Sequence, residues 1–181
     1  MTTVADSDPL HRRINPKGPG DAVAGEVYWS AGKSLWWTGM LTGWVVLGAI
    51  HFSWSAALLF LGMTGAVLCL GHSLGMHRKL IHDGFACSPL LERFLVYLGT
   101  LVGLGGPFTM MRTHDFRDWA QRQGACHDYF AHRRGLLADF WWQMHCDLEL
   151  RRPPAYRYPD KLMDSAFYRL LERTAMLQQV P

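Results

Sequence analysis

Two histidines and a basic pair stand where a long uncharged run ends, in Ser73-Leu74-Gly75-Met76-His77-Arg78-Lys79-Leu80-Ile81-His82-Asp83-Gly84-Phe85. A neutral imidazole is a common metal ligand near pH 7, so His77 and His82 could bind metal at a membrane surface. Their spacing limits how they would do so. On a straight α-helix, residues five apart are separated by about 140° around the axis. The pair would therefore reach two neighbouring ions, or one ion if the helix unwinds locally. His72 makes a competing pair with His77, again five apart and deeper in the apolar run. The alternative for a lone intramembrane histidine is a hydrogen-bonded packing role.

The elements that must position these residues follow from charge. Residues 34 to 77 contain no Asp, Glu, Lys or Arg, which as a helix is roughly 65 Å of apolar chain at 1.5 Å per residue, or about two bilayer crossings. Spans at about 35–50 and 54–71, divided by His51-Phe52-Ser53, read as a transmembrane helical hairpin. Trp36, Trp37, Phe52 and Trp54 lie near the span ends, where amphipathic rings favour the interface. Gly39, Gly43, Gly48, Gly62 and Gly65 offer small faces for close helix approach in lipid. The alternative, a buried hairpin of a soluble protein, fits poorly with so long a charge-free stretch. Arg12, Arg13, Lys17 and Lys33 precede the hairpin, Arg78 and Lys79 follow it, and its tip has neither Lys nor Arg. Both termini and the histidine-bearing segments should therefore be cytoplasmic.

A third apolar run, Phe94 to Met111, is interrupted by Gly103, Gly105, Gly106 and Pro107, so a re-entrant or interfacial helix is favoured over a full crossing. Beyond Arg112 the chain reads as cytoplasmic helices broken at Arg152-Pro153-Pro154. Asp164 to Gln179 forms a closing amphipathic helix with Asp164 as N-cap. The expected fold is thus an all-α, multi-pass membrane protein.

Composition bounds the rest. Hydrophobic residues make up 49% of the 181 positions, with eight Trp and nine Phe, enough for a packed core. Residues 1–33 carry four basic and four acidic side chains with three prolines and read as a polar, flexible N-terminal tail. Residues 78–181 hold 14 Lys/Arg against 11 Asp/Glu, an excess suited to anionic lipid but too small for nucleic acid, for which there is no motif. Cys69, Cys87, Cys126 and Cys146 show no paired spacing and read as free thiols. The first apolar run begins beyond residue 33 and is followed at once by another, so a secretory leader is not expected. No Ser/His/Asp order or phosphate loop suggests a hydrolase or nucleotide enzyme.

Ser73-x-Gly75-x-His77-Arg78-x-x-x-His82-x-x-Phe85 resembles the first histidine box of the integral-membrane fatty acyl desaturases, acyl-CoA-type branch. Gly99-Thr100-Leu101, Gly106-Pro107 and Met111-Arg112-Thr113-His114 are similar to the run leading into that family's second box. Asp128 to Leu137 is similar to its Asp-Pro-His stretch, and Phe167 to Arg173 to the segment before its second membrane hairpin. The resemblance covers residue 34 to the C-terminus and looks like the N-terminal part of the desaturase domain. It departs at the second box, where His-x-x-His-His becomes His114-Asp115-Phe116-Arg117-Asp118. Asp118 could replace an imidazole, since carboxylates bind iron; Arg117 could not. A third box and a second pair of crossings are not found before Pro181.

The resemblance implies a di-iron oxidoreductase of lipid metabolism that uses O₂ to introduce a C=C bond into an acyl chain. His77, His82 and His114 would be metal ligands. Arg133 and Arg134 would bind phosphates of the substrate's headgroup, or else form a basic turn facing lipid. Arg112 is similarly ambiguous. His127, His132 and His145 fall off ligand positions, and Phe140-Trp141-Trp142 reads as an interface anchor. The implied partners are an acyl chain on CoA or another carrier, O₂, a ferredoxin- or cytochrome-like electron donor and membrane lipid. Three matched ligands are too few for two irons, so the chain alone is expected to be inactive, as a fragment, a split gene product or a decayed relative. The competing readings are a non-catalytic membrane scaffold that binds lipid or another subunit and, less favoured, a histidine-box hydroxylase. Acyl length and double-bond position are not legible.

Overall fold

The computed structural model describes residues 9–15 and 18–179. Its elements, in order, are α1 (Pro9–Arg13), β1 (Gly25–Trp29), α2 (Ala31–Ile50), α3 (Trp54–Ala66), a π-helical segment (Val67–Ile81), α4 (Pro89–Thr100), α5 (Pro107–Gln121), α6 (Asp128–Ala131), α7 (Leu136–His145), β2 (Cys146–Leu150), α8 (Asp160–Asp164), α9 (Ala166–Thr174) and a 3₁₀ turn (Leu177–Gln179). The protein is mostly helical, as expected. The all-α expectation needs one correction, a two-stranded antiparallel sheet that runs from Gly25↔Leu150 to Trp29↔Cys146. Its signal lies in Cys146-Asp147-Leu148-Glu149-Leu150, which alternates apolar and acidic residues with the period of a strand.

The chain divides into two compact units. Among the described residues, one comprises 9–15, 58–116 and 156–179, the other 18–57 and 117–155. The first carries the histidines singled out above. Its core is Met76, Leu80, Ile81, Val96, Met111, Leu162, Tyr168 and Leu171. Part of the expected N-terminal tail is built into this unit: Leu10, Arg13 and Ile14 are buried, and Ile14 bridges to Tyr156.

The π-helical segment and α4 pack closely because glycines face each other. A Cβ on Gly71 would overlap the backbone of Leu98 and Gly99, one on Gly75 the backbone of Leu95, and one on Gly99 the Met76 side chain. This Gly71-x-x-x-Gly75 face is the close-approach device of membrane helices. The glycines expected in that role, Gly39, Gly43, Gly48, Gly62 and Gly65, have nothing within 4 Å of a built Cβ among the described residues. The long side chains around those five positions point outward instead; Met40, Trp44, Leu47, Leu61 and Met63 are all exposed.

Trp54–Ile81 is continuous, 28 residues long, and the one helix among the described residues long and apolar enough to cross a membrane. About 20 residues suffice for that. Leu58, Leu59, Phe60 and Leu61 are exposed along it. α2 reaches 20 residues, but Lys33 and its three tryptophans make it less apolar. The chain breaks between α2 and α3 as read from sequence, with Ser53 Oγ accepting from the Ala56 amide at 3.1 Å to cap the new helix. The third apolar run also breaks at its glycines. Gly103 and Gly105 take φ values of 82° and 125°, open to glycine and strained for other residues, and Pro107 starts α5. The N-cap of α9 is Ser165, whose side chain accepts from the Tyr168 amide, rather than Asp164, which ends α8.

In the second unit, Lys33 Nζ donates to Asp147 at 3.0 Å and to the Cys146 carbonyl at 2.7 Å. Trp37 packs edge-on against Phe140 at 5.7 Å. All four cysteines are free thiols.

The glycine contacts make a prediction. Gly75→Ala forces backbone apart and should cost about 1–3 kcal/mol, read as a lower thermal midpoint in detergent. Gly43→Ala meets no neighbour and should leave the midpoint unchanged or raise it through better helix propensity.

Candidate metal centre

His77 lies in the last turn of the π-helical segment and His82 is the residue that caps it. In a π-helix the hydrogen bond runs from residue i+5 to residue i, so residues five apart stack one turn above another. The His82 amide donates to the His77 carbonyl at 3.1 Å. The sequence argument for about 140° of separation assumed α-helical winding; the wider π turn is underwound relative to it and reduces that separation, as the reading of one ion on a locally unwound helix requires. The His77 and His82 ring centroids are 4.6 Å apart.

His114 joins them from α5, with its ring 4.9 Å from His77 and 5.0 Å from His82. One ligand nitrogen from each ring lies within 4.8 Å of the others. Three nitrogens bound to one ion at about 2.1 Å lie about 3.4 Å apart in a tetrahedral set, so the rings would have to close in by about 1 Å for all three to bind one ion. None of the three side chains is buried. An all-imidazole set suits divalent iron, zinc, copper or nickel, and three protein ligands leave coordination positions open to small molecules.

The chain leaves the π-helical segment through Asp83, a non-glycine residue at φ 47°. Lys79 Nζ stabilises this exit by donating to Asp83 at 2.5 Å and to the Phe85 carbonyl at 2.8 Å. A second, buried network joins Arg13, Asp115 and Tyr156. Arg13 Nε donates to Asp115 Oδ2 at 2.6 Å, Nη2 to Asp115 Oδ1 at 2.8 Å and Nη1 to the Ile81 carbonyl at 3.0 Å. The Tyr156 hydroxyl donates to Asp115 at 2.8 Å. Burial alone would raise the Asp115 carboxyl; the hydrogen bonds from Arg13 and Tyr156, the Arg13 charge and the His114 ring, with Nδ1 3.8 Å away, outweigh it and hold the group below the usual carboxylate range. Burial and the facing carboxylate push the Tyr156 phenol up.

Asp118, the candidate stand-in for an imidazole, is not among the three clustered residues. Arg117 donates to Gln143 at 3.3 Å. His72 lies one π-turn before His77 but outside the cluster, and its Nδ1 is buried with no hydrogen-bond partner among the described residues. Arg133 and Arg134 are exposed in the second unit, Arg134 with its guanidinium 4.0 Å over Trp142. Arg112 lies 5.0 Å from the Phe116 ring. Three other histidines make side-chain hydrogen bonds: His127 Nδ1 accepts from the Tyr129 amide, His132 pairs with Asp139 and His145 with Ser34. The sequence reading missed Arg13, Asp115 and Tyr156. Asp115 beside a candidate ligand was the available signal; nothing local marks Arg13 or Tyr156 as its partners.

No protein-family profile matches the chain, and no solved structure matches it. Curated relatives do. The chain is 29% identical over 146 residues to an icosanoyl-CoA 5-desaturase from Limnanthes douglasii, covering 74% of this chain and 38% of that one. It is 31% identical over 137 residues to an sn-1 stearoyl-lipid 9-desaturase from Anabaena variabilis, covering 72% and 47%, and 26% identical over 144 residues to an acyl-CoA 5-desaturase from Anemone leveillei, covering 72% and 43%. The protein is a relative of the fatty acyl desaturases, and it spans less than half the length of each of these three proteins.

The cluster geometry predicts the outcome of a Co(II) titration followed by visible absorption. His77→Ala, His82→Ala and His114→Ala should each weaken binding by more than the roughly tenfold to hundredfold typical when an outer hydrogen-bond partner is lost. His72→Ala should leave affinity unchanged.

Proposed function

We propose that this chain supplies the first metal-binding portion of an O₂-dependent fatty acyl desaturase, an oxidoreductase of lipid metabolism. The observation that carries the reading is the convergence of His77, His82 and His114 from two separate helices, at positions that match the histidine boxes of the family to which the chain is related. His77, His82 and His114 hold iron, with the rest of a di-iron ligand set supplied by further protein. Iron bound there supplies O₂ activation, by which an acyl –CH₂–CH₂– unit, O₂, two electrons and two protons become –CH=CH– and two waters.

The chain's own residues fix where this happens. The π-helical turn holds two imidazoles on one stripe and α5 brings the third, while the exposure of the rings leaves the site open to an acyl chain. Trp54–Ile81 crosses the bilayer and follows α2 in a transmembrane hairpin, both ends cytoplasmic. α4 lies re-entrant or along the interface. Residues 34–181 form the N-terminal part of the desaturase domain. The acyl chain arrives on CoA or another carrier, with Arg133 and Arg134 available to its phosphates, and the electrons come from a ferredoxin- or cytochrome-like protein.

A second reading, a non-catalytic membrane scaffold, is favoured by one observation. Arg117, in the second-box position where the family carries a histidine, is a cation bonded to Gln143.

Iron content and fatty acid analysis separate the two. The purified chain in nanodiscs, loaded anaerobically with Fe(II), should retain about one iron per chain by its three-imidazole set, and His77→Ala should lose it. Given O₂, acyl-CoA and reduced ferredoxin, the 181-residue chain alone should form no double bond by gas chromatography. Joined to a segment that supplies the remaining ligands, it should form one that His82→Ala abolishes. Absence of iron from the wild-type chain, or unsaturation that survives both substitutions, would overturn the desaturase reading.

A further inference from the structure

A single guanidinium connects the backbone beside His82 to the side chain beside His114. Arg13 Nη1 donates to the carbonyl of Ile81, the residue before His82, while Nε and Nη2 grip the carboxylate of Asp115, the residue after His114. The Ile81–His82 peptide is planar, and it is held on both sides: its carbonyl by Arg13 at 3.0 Å and its N–H by the His77 carbonyl at 3.1 Å. That fixes the direction in which the His82 side chain leaves the backbone. Asp115 is held in turn from three directions, by two guanidinium nitrogens and the Tyr156 hydroxyl.

Arg13 is 8% exposed and Asp115 1%. Burying such a pair gives little net stability, because desolvation offsets the Coulombic gain. The pair does impose geometry, since the planar fork meets a carboxylate in one orientation. Arg13 is itself fixed, because its carbonyl accepts from the Arg157 amide at 2.8 Å and the next residue, Ile14, bridges to Tyr156. The clamp thus ties α1, the end of the π-helical segment, α5 and the strand-like stretch at Tyr156 within one compact unit.

We propose that Arg13 is a positioning residue for the histidine cluster, setting the separation of His82 and His114 before a metal ion arrives through the Ile81 carbonyl and Asp115. This rests on the reading of His77, His82 and His114 as metal ligands. Arg13 itself carries no ligand atom; it acts by sparing the imidazoles a search for their mutual arrangement.

The test is Co(II) affinity and the visible Co(II) spectrum of the full chain in detergent, measured beside thermal stability. Arg13→Met should weaken Co(II) binding by about 10- to 100-fold and alter the spectrum while the protein remains folded at the assay temperature. Arg13→Lys keeps the charge but not the fork, and should fall between wild type and Arg13→Met; it carries the test if Arg13→Met does not fold. Tyr168→Phe is the structural control. It removes a buried hydroxyl bonded to Glu92 at 2.6 Å, and should lower the thermal midpoint while leaving Co(II) affinity and spectrum as in wild type. Wild-type affinity and spectrum in both Arg13 variants would overturn the positioning role, as would equal losses in the Arg13 variants and Tyr168→Phe. A wild-type chain that binds no Co(II) would remove the metal reading itself, a distinct result.

Discussion

The hydrogen bond from the His82 amide to the His77 carbonyl, five residues back, is the constraint on which the site depends. An α-helix would have bonded His82 to residue 78 and turned its imidazole far around the axis from His77. The i+5 register places the two rings one above the other, and α5 then has to bring a third ring to a prepared pair. π-helices mostly occur as single-turn bulges, whereas this one runs for 15 residues. Its position is consistent with what surrounds it. Gly71 and Gly75 let α4 come close, and Lys79 secures the turn at Asp83 by which the chain leaves.

The buried carboxylates around the site have partners. Asp115 meets Arg13 and Tyr156; Glu92 accepts from Lys161 at 2.7 Å and from Tyr168 at 2.6 Å. Glu172 accepts from the Phe108 amide at 2.8 Å, satisfying a donor at the start of α5, the helix that bears His114. An unpaired buried charge would be far more costly than the modest net value of each pair. These contacts therefore act mainly by excluding other arrangements of α1, α4, α5 and α9, and so restrict where the imidazoles can sit.

Much of this was legible in the sequence, and the division between what was and was not has a physical basis. Charge-free length announced the long apolar helix, and Gly103, Gly105 and Pro107 announced the break before α5, because backbone chemistry at those positions is local. His77, His82 and His114 could be named from type, spacing and family resemblance. Their arrangement could not, because a choice between i+4 and i+5 winding is made by packing against α4 over the whole segment rather than by any one residue. Arg13 was assigned to a polar tail, since nothing near it in sequence reveals a partner 102 positions away. The β1–β2 pairing was missed for a different reason. The alternation in Cys146–Leu150 was present, but it is only five residues long and lies beside the helical pattern of α7.

The central claim is that three imidazoles from two helices hold one ion. X-ray absorption spectroscopy of the Co(II)-loaded 181-residue chain reads the number and kind of ligand directly. Three imidazole nitrogens at about 2.0–2.1 Å, falling to two in His114→Ala, are the predicted result. A first coordination sphere of oxygens alone, or a spectrum unchanged by loss of His114, would contradict the account.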